Sequence, residues 1–319
     1  MKVIGCWLAA IVLAVAPGAH AHDAPIRILV GFAAGGESDI VARLLAEGLR
    51  NGLGVPVVVE NRPGGSGTVA AEALKNAAPD GNTLMVSPMA VTVFAPLTHE
   101  RLRYDPVRDL APVSLVAHFE MALAVGPGSS ARTLRDYLEL ARANPSHAMY
   151  GVPLAGGPTH FLGAMLARST GVDLTAVPYK GSAPFVNDLI GGQIPAGITV
   201  VSQLIKHHEA GKVRLLATSG PTRSLLAPEV PTFRELGYAS MVGVGWQAVH
   251  TTAGTPRAKI DRLSGLIRDT VRSTRGSAQL AASGLEPVGS TPDELRARID
   301  EDTRLWAPAI RASGFRAEP

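Results

Sequence analysis

A chain of 319 residues, 46% hydrophobic and 18% charged, with a formal charge of +3, has the apolar mass for one large or two medium folded units. Its Arg residues are dispersed and form no basic block interleaved with aromatics, which argues against a nucleic-acid partner. The single cysteine, Cys6, excludes an intramolecular disulfide, and it lies in a leader, so the remaining chain has no thiol for a Fe–S cluster, a thiolate zinc site or a cysteine nucleophile.

The first predicted element is that leader. Lys2 precedes an apolar run at 3–16, and residues 17–21 end in an A-x-A pattern, which reads as a secretory signal peptide (1–21) cut after Ala21. A membrane anchor is the competing reading, but the run is shorter than the roughly 20 residues that a span needs. Next, an apolar run at 26–30 predicts a buried strand that breaks into Phe32, Ala33, Ala34, Gly35 and Gly36 before a helical pattern begins at Ser38 and Asp39. Small residues let a ligand approach the backbone there, and the free amides and positive dipole end of a helix favour a carboxylate or phosphate. Asp39 also has a plain role as a helix cap. Glu37 would repel an anion, so it either turns to solvent or selects a ligand with a cationic or hydroxyl group.

Further along, 55–60 predicts a strand, 68–77 a helix closed by Pro79, Asp80 and Gly81, and 83–87 a strand ending at Ser87; this alternation argues for a parallel sheet covered on both faces. The long apolar run 114–125 reads as a crossing into a second lobe. There, 133–143 is a helix with Thr133 and Asp136 at capping-box spacing, followed by a strand at 148–152, a glycine loop to Pro158, a helix from Thr159, a strand at 174–178, a helix at 182–190 and strands at 194–201 and 213–219. A proline-rich segment, 221–237, returns the chain. Helices start at Thr255-Pro256 and at Thr291, where Glu294 completes a capping box. The predicted architecture is α/β in two lobes, 22–122 with 226–319 and then 123–225, joined by two crossings around a cleft.

Glycine turns precede helices at Gly35-Gly36, at 64–67 and at Gly156-Gly157, and in open α/β sheets ligands bind beyond the carboxyl ends of strands, where such turns lie. Residues 65–70 fit the degenerate dinucleotide pattern G-x-G-x-x-A, a weak match because a loop intervenes after the strand. The chain has no Walker loop, no G-x-S-x-G, no S-x-x-K and no H-E-x-x-H, so the usual scaffolds of phosphoryl transfer, serine acyl transfer and helical zinc sites are missing. His160 either lines the cleft or hydrogen-bonds its own loop. A cleft hydrolase or isomerase would rest on it alone, with no evident carboxylate partner. Tyr179 offers a hydroxyl and Lys180 a charge, while Ser182 and Pro184 also suit a plain helix start.

The segments PIRILVGFAAGGESDIVARLLAE, GVPVVVENRPGGSGTVAAEAL, YGVPLAGGPTHFLG, VPYKGSAPFVNDLIGGQI and VRLLATSGPTRSLLAPEVPTFRELGY, in this order and spacing, resemble the Bug family of periplasmic solute-binding receptors of tripartite tricarboxylate transporters. The resemblance covers essentially the whole chain beyond the leader. It implies a type II periplasmic binding protein fold, a Venus flytrap, that closes on a small organic carboxylate and presents it to a membrane permease or a signalling protein. It implies a periplasmic receptor that is no enzyme; no cofactor or metal is expected, and a monomer is the default expectation. Carried over by position, the ligand-binding residues are Phe32, Ala33, Ala34, Gly35, Gly36, Ser38, Asp39 and Ser87 in one lobe. In the other they are Gly151, Gly156, Gly157, Thr159, His160, Tyr179, Gly181 and Ser182. One departure stands out: after Gln193 many members carry an acidic pattern, V-D-L-M-F-D, where this chain has Pro195 and Thr199 at the acidic positions, so the specificity of amino-acid-binding members does not transfer.

Overall fold

The computed structural model describes residues 24–317, and the expected leader with its cut after Ala21 lies outside them. The first elements are β1 (Ile26–Val30), α1 (Glu37–Leu53), β2 (Val57–Asn61), a 3-10 turn (Gly65–Gly67), α2 (Thr68–Lys75) and β3 (Thr83–Pro88). A π-helical turn (Ala90–Phe94), α3 (Ala95–Thr98) and β4 (Leu110–Phe119) complete the first pass. Then come β5 (Met121–Val125), α4 (Leu134–Ala143), β6 (Met149–Val152), α5 (Pro158–Thr170), β7 (Thr175–Pro178), α6 (Ser182–Ile190), β8 (Ala196–Val200), α7 (Val201–Glu209) and β9 (Arg214–Thr218). The chain returns to β10 (Gly245–Thr252), α8 (Arg257–Arg272), α9 (Thr274–Ala282), β11 (Glu286–Pro287) and α10 (Pro292–Ala312).

These strands build two sheets, ordered β11-β4-β10-β3-β1-β2 and β7-β6-β8-β5-β9, one per lobe. The apolar run read from sequence as a single crossing is two strands, one in each sheet, with Glu120 alone between them. The first passage between sheets therefore falls at Glu120, ahead of the expected 122/123 boundary, and the return runs through 219–244. The sequence reading also had no strand at β10, a central strand of the first sheet. All eight of its residues are buried, so the one-sided alternation that reveals a strand is absent.

Strand direction decides where the two sheets meet. In the first sheet β1, β2 and β3 are parallel and β10 is antiparallel to both β3 and β4, so β4 runs with β3 and ends at the same edge. In the second, β6, β7 and β8 are parallel, while β5 runs against β8 and starts beside its end, with Met121 opposite Val200. The passage from β4 to β5 thus ties the carboxyl edge of one sheet to that of the other. The return does the same: β9 ends beside the start of β5, with Thr218 opposite Ala122, and β10 starts with Gly245 opposite Phe119 and Gln247 opposite Pro88. The loops that follow β1, β3, β6, β7 and β8 consequently face one another across the crossings.

Beneath the first edge, Val41, Leu45 and Leu49 of α1 and Leu263 and Ile267 of α8 pack with Ile28, Val30 and Val86 of the sheet, all at essentially zero exposure. Each such side chain contributes about 1.5–3 kcal/mol on burial, which makes the helix start a rigid platform. The last helix joins both lobes: Trp306 of α10 packs edge-on to Phe94, 5.4 Å between ring centroids, and Phe94 lies 5.3 Å from Phe161 of α5. Trp246 at the start of β10 donates its indole N–H to Asp302 of α10 at 2.7 Å.

Candidate functional site

Five helices, α1, α2, α5, α6 and α7, start at the carboxyl edges, behind Gly36, Gly67, Gly157, Gly181 and Val200 respectively, and no side chain caps any of them. Elsewhere α4, α9 and α10 are capped by Thr133, Ser273 and Thr291, the first and last in full capping boxes; α8 starts behind Pro256 without a side-chain cap. First-turn amides left free at the edges give them a partial positive charge that suits an anion. In α1 the first helical bond runs from the Ile40 amide to the Gly36 carbonyl at 3.0 Å, leaving the amides of Glu37, Ser38 and Asp39 ahead of it. In α5 it runs from Phe161 to Gly157 at 3.2 Å; Pro158 has no N–H, so Thr159 and His160 supply the free amides.

In the first lobe Ala33, Ala34, Gly35 and Gly36 are exposed, Phe32 is half-buried, and Gly35 adopts φ 83° with open space around it. Asp39 is not the cap of α1. It is 2% exposed, and its carboxylate accepts the Gly35 amide at 2.9 Å, Asn61 Nδ2 at 3.0 Å and Arg43 Nε at 2.8 Å. Arg43 first, with Gly35 and Asn61, holds this carboxyl below its usual range, against the opposing effect of burial. Because Asn61 Nδ2 also reaches the Phe32 carbonyl at 3.1 Å, Asp39 and Asn61 brace the turn from inside. Ser38 is buried and donates to Gln247 Oε1 at 3.0 Å, while Gln247 Nε2 donates to Glu37 Oε1 at 2.8 Å. Burial pushes the Glu37 carboxyl up, offset in part by the Gln247 bond. Glu37 therefore reaches one oxygen onto β10 and remains half-buried. Ser87, fully buried at the end of β3, shares a hydrogen bond of 3.1 Å with His250 Nδ1.

In the second lobe Gly156 takes φ 72° against Phe315, and Gly157 is extended at the cap of α5. His160 Nδ1 accepts the Gly156 amide at 3.0 Å, so of its two expected roles the structure displays the loop-bracing one; burial lowers its pKa. Thr159 is buried beside it. Two expected residues are turned to other duties. Gly151 lies inside β6, where an added Cβ would come within 2.5 Å of Phe185, so its glycine serves packing. Tyr179 donates its hydroxyl to Asp188 Oδ2 at 2.9 Å, which commits its proton within the lobe. Gly181, at φ 108°, is the cap of α6, so Ser182 is its first helical residue instead of its cap. Thr199, at one of the two departing positions, is fully buried and donates to Gln203 at 3.3 Å.

The sequence reading missed Gln247, because the strand carrying it was missed, and the start of α7, because Val200 gives no cap signal. It also missed Glu120, the lone residue of the first passage, which is 8% exposed and whose carboxyl burial pushes up. Residues 65–67 form a 3-10 turn with Gly67 packed on Phe32 and Val91, a support for β1 rather than a phosphate cradle. Among the described residues no group of three or more His, Cys, Asp or Glu could hold a metal ion, and no helix is long and apolar enough to cross a membrane.

Residues 41–315 match the family model described as tripartite tricarboxylate transporter family receptor. Protein BugT of Bordetella pertussis is 34% identical over 316 residues, 98% of this chain and 97% of its own. Among solved structures, R. palustris Rpa4515 with adipate is 29% identical at a TM-score of 0.79, covering 91% of this chain and 97% of its own. MatC from Rhodopseudomonas palustris with bound malate is 26% identical at 0.76, covering 90% and 98%.

Proposed function

Because the chain belongs to the family of tripartite tricarboxylate transporter receptors, we propose that it captures a small organic carboxylate between its two lobes and presents it to a membrane permease. It is a two-lobed periplasmic binding protein, and adipate and malate, bound by its structural relatives, set the ligand class. One observation carries the reading at the level of this chain: five helices, α1 and α2 in one lobe and α5, α6 and α7 in the other, begin without side-chain caps at the two carboxyl edges that the crossings bring face to face. A carboxylate received by the amides of Glu37, Ser38 and Asp39 on one side and of Thr159 and His160 on the other would bridge the lobes. Contacts to both lobes favour the closed state, so closure is a population shift driven by the ligand.

The exposed turn 33–36, Phe32, Ser38 and the 156–160 loop contact the ligand, with Gly181 and Ser182 at the wall. Asp39, Asn61, Gln247 and Ser87 lie beneath the contact surface as braces. The receptor is a monomer without catalytic residues, exported after removal of 1–21. A thermal-shift panel of mono-, di- and tricarboxylates tests the reading. A ligand at a hundred times its Kd adds about 2.7 kcal/mol to the stability of the protein, worth roughly 4–5 °C in melting temperature. A panel without a shift or calorimetric heat would remove the carboxylate reading, and turnover of a bound ligand would replace it with an enzymatic one.

A further inference from the structure

Glu37 occupies an unusual position for a carboxyl group in an anion site. It is the first residue of α1, which follows β1, yet its Oε1 accepts from Gln247 Nε2 on β10 at 2.8 Å. Strand β3 lies between β1 and β10 in the sheet. The bond between Glu37 and Gln247 therefore links α1 to β10 across the position of β3, at the edge that faces the second lobe. Gln247 is held in turn by Ser38 Oγ at 3.0 Å, so the carboxyl group has a fixed neutral donor on one oxygen. Its second oxygen, Oε2, has no hydrogen-bond or ion-pair partner among the described residues, and Glu37 is partly exposed, so this oxygen is open to a ligand or to water.

Building on the carboxylate reading above, we propose that Glu37 is protonated in the liganded receptor and donates Oε2–H to the ligand's carboxylate, so that capture takes up a proton from solution whenever Glu37 is ionised beforehand. The bonding closes without a remainder: Oε1 accepts from Gln247, Oε2–H donates to the ligand, and the proton comes from water. Ionised, Oε2 would instead set lone pairs against a like charge, and two adjacent carboxylates without a cation share a proton rather than both ionise. Burial of Glu37, which already disfavours its charged form in the free receptor, acts in the same direction.

The other titratable and charged groups around it are few. Asp39 of α1 is paired with Arg43 and stays ionised. His250 of β10, bound to Ser87, is held down to about 4 by burial and stays neutral through the physiological range. Glu120 at the passage, pushed up by burial, and His160 across the cleft, pushed down, are the two that could also titrate. Lys180 is the exposed cation of the facing wall.

The sign follows from linkage. Binding raises the Glu37 pKa, so affinity is constant below the free-state value. It weakens by up to about tenfold per pH unit between the free and bound values and levels off above them. Isothermal titration with adipate and with malate, from pH 5 to 8 and in two buffers of different ionisation enthalpy, reads both the affinity and the proton uptake. The wild type is expected to show that weakening, with uptake approaching one proton per ligand on the sloping segment. Glu37→Gln, which keeps an acceptor for Gln247 and a donor for the ligand, is expected to bind with a flat pH profile and no uptake. A flat wild-type profile without uptake overturns the inference, and so does a Glu37→Gln variant that keeps the wild-type slope, which would locate the titration at Glu120 or His160. Preference for an amino acid ligand, tightening as pH rises, overturns it as well by making Glu37 an ammonium partner. Lack of binding by the wild type at every pH would bring down the carboxylate reading itself, an outcome distinct from pH-independent binding. The uptake measurement on the wild type decides the matter even if the variant folds poorly.

Discussion

Replacing Gly157 by Asp puts a carboxylate where the account requires the ligand's carboxylate to sit. Gly157 is the cap of α5 at φ −91° and ψ 175°, extended backbone that any residue adopts. A Cβ there would find its nearest neighbour, the Leu154 carbonyl oxygen, at 3.6 Å, an ordinary contact, so the side chain fits. Asp caps a helix better than Gly, which makes the free protein more stable by about a few tenths of a kcal/mol. The same side chain accepts the Thr159 or His160 amide that would otherwise serve the ligand. Loss of one hydrogen bond to a charged group, about 1.5–3 kcal/mol, amounts to about ten- to a hundredfold in Kd before the repulsion between the two carboxylates is added. Gly157→Ala adds the volume without the charge and should bind within about threefold of wild type. The pair is read by differential scanning fluorimetry without ligand and by calorimetry with malate or adipate. An Asp variant that melts at or above the wild type and still binds with unchanged affinity would refute the assignment of these amides to the ligand.

Three further variants probe the braces. Asp39→Ala removes the acceptor of the Gly35 amide and Asn61 Nδ2; it should cost about 2–4 kcal/mol in chemical denaturation and weaken carboxylate binding by about tenfold or more, and loss of stability with intact affinity would detach Asp39 from the site. Because the Asp39 pKa is depressed in the fold, its contribution is present at neutral pH and is lost as pH falls below the usual carboxylate range. His250 is depressed from 6.5 to about 4: below 6.5 the unfolded chain binds a proton that the native state refuses, so about 3 kcal/mol of stability is lost as pH falls from 6.5 to 4. The wild type minus His250→Gln difference in unfolding free energy should shrink by that amount across the window, and a constant difference would contradict it. Gly156→Ala forces a side chain into φ 72° and to within 2.5 Å of Phe315; it should lower stability by about 1–3 kcal/mol, measured by urea denaturation, and an unchanged midpoint would show that the loop relaxes freely.

The parts of the fold written in local chemistry were legible in the sequence. Thr133 with Asp136 and Thr291 with Glu294 announce their capping boxes, Ser182–Ile190 is a helix with the expected bounds, and the glycine turns lie at strand ends as expected. What was hidden depended on pairing across the chain. β10 has no alternation because both its faces are covered, and with it went Gln247, which meets Glu37 and Ser38 across more than 200 residues. Asp39 looked like a cap because its residue type and position permit one; its pairing with Arg43 is local to α1, but its contact with Asn61, which makes it a brace, depends on β2 lying beside β1. Tyr179 looked like a ligand hydroxyl for the same kind of reason, until α6 set Asp188 within 2.9 Å of it.

The most direct test of the carboxylate clamp is the structure of the protein with malate or adipate bound. The account predicts one ligand carboxylate with oxygens within about 2.7–3.1 Å of first-turn amides from both α1 and α5, and the lobes closed upon it. A ligand carboxylate held by Lys180 or an arginine, with the amides of Ser38, Thr159 and His160 facing water, would contradict it.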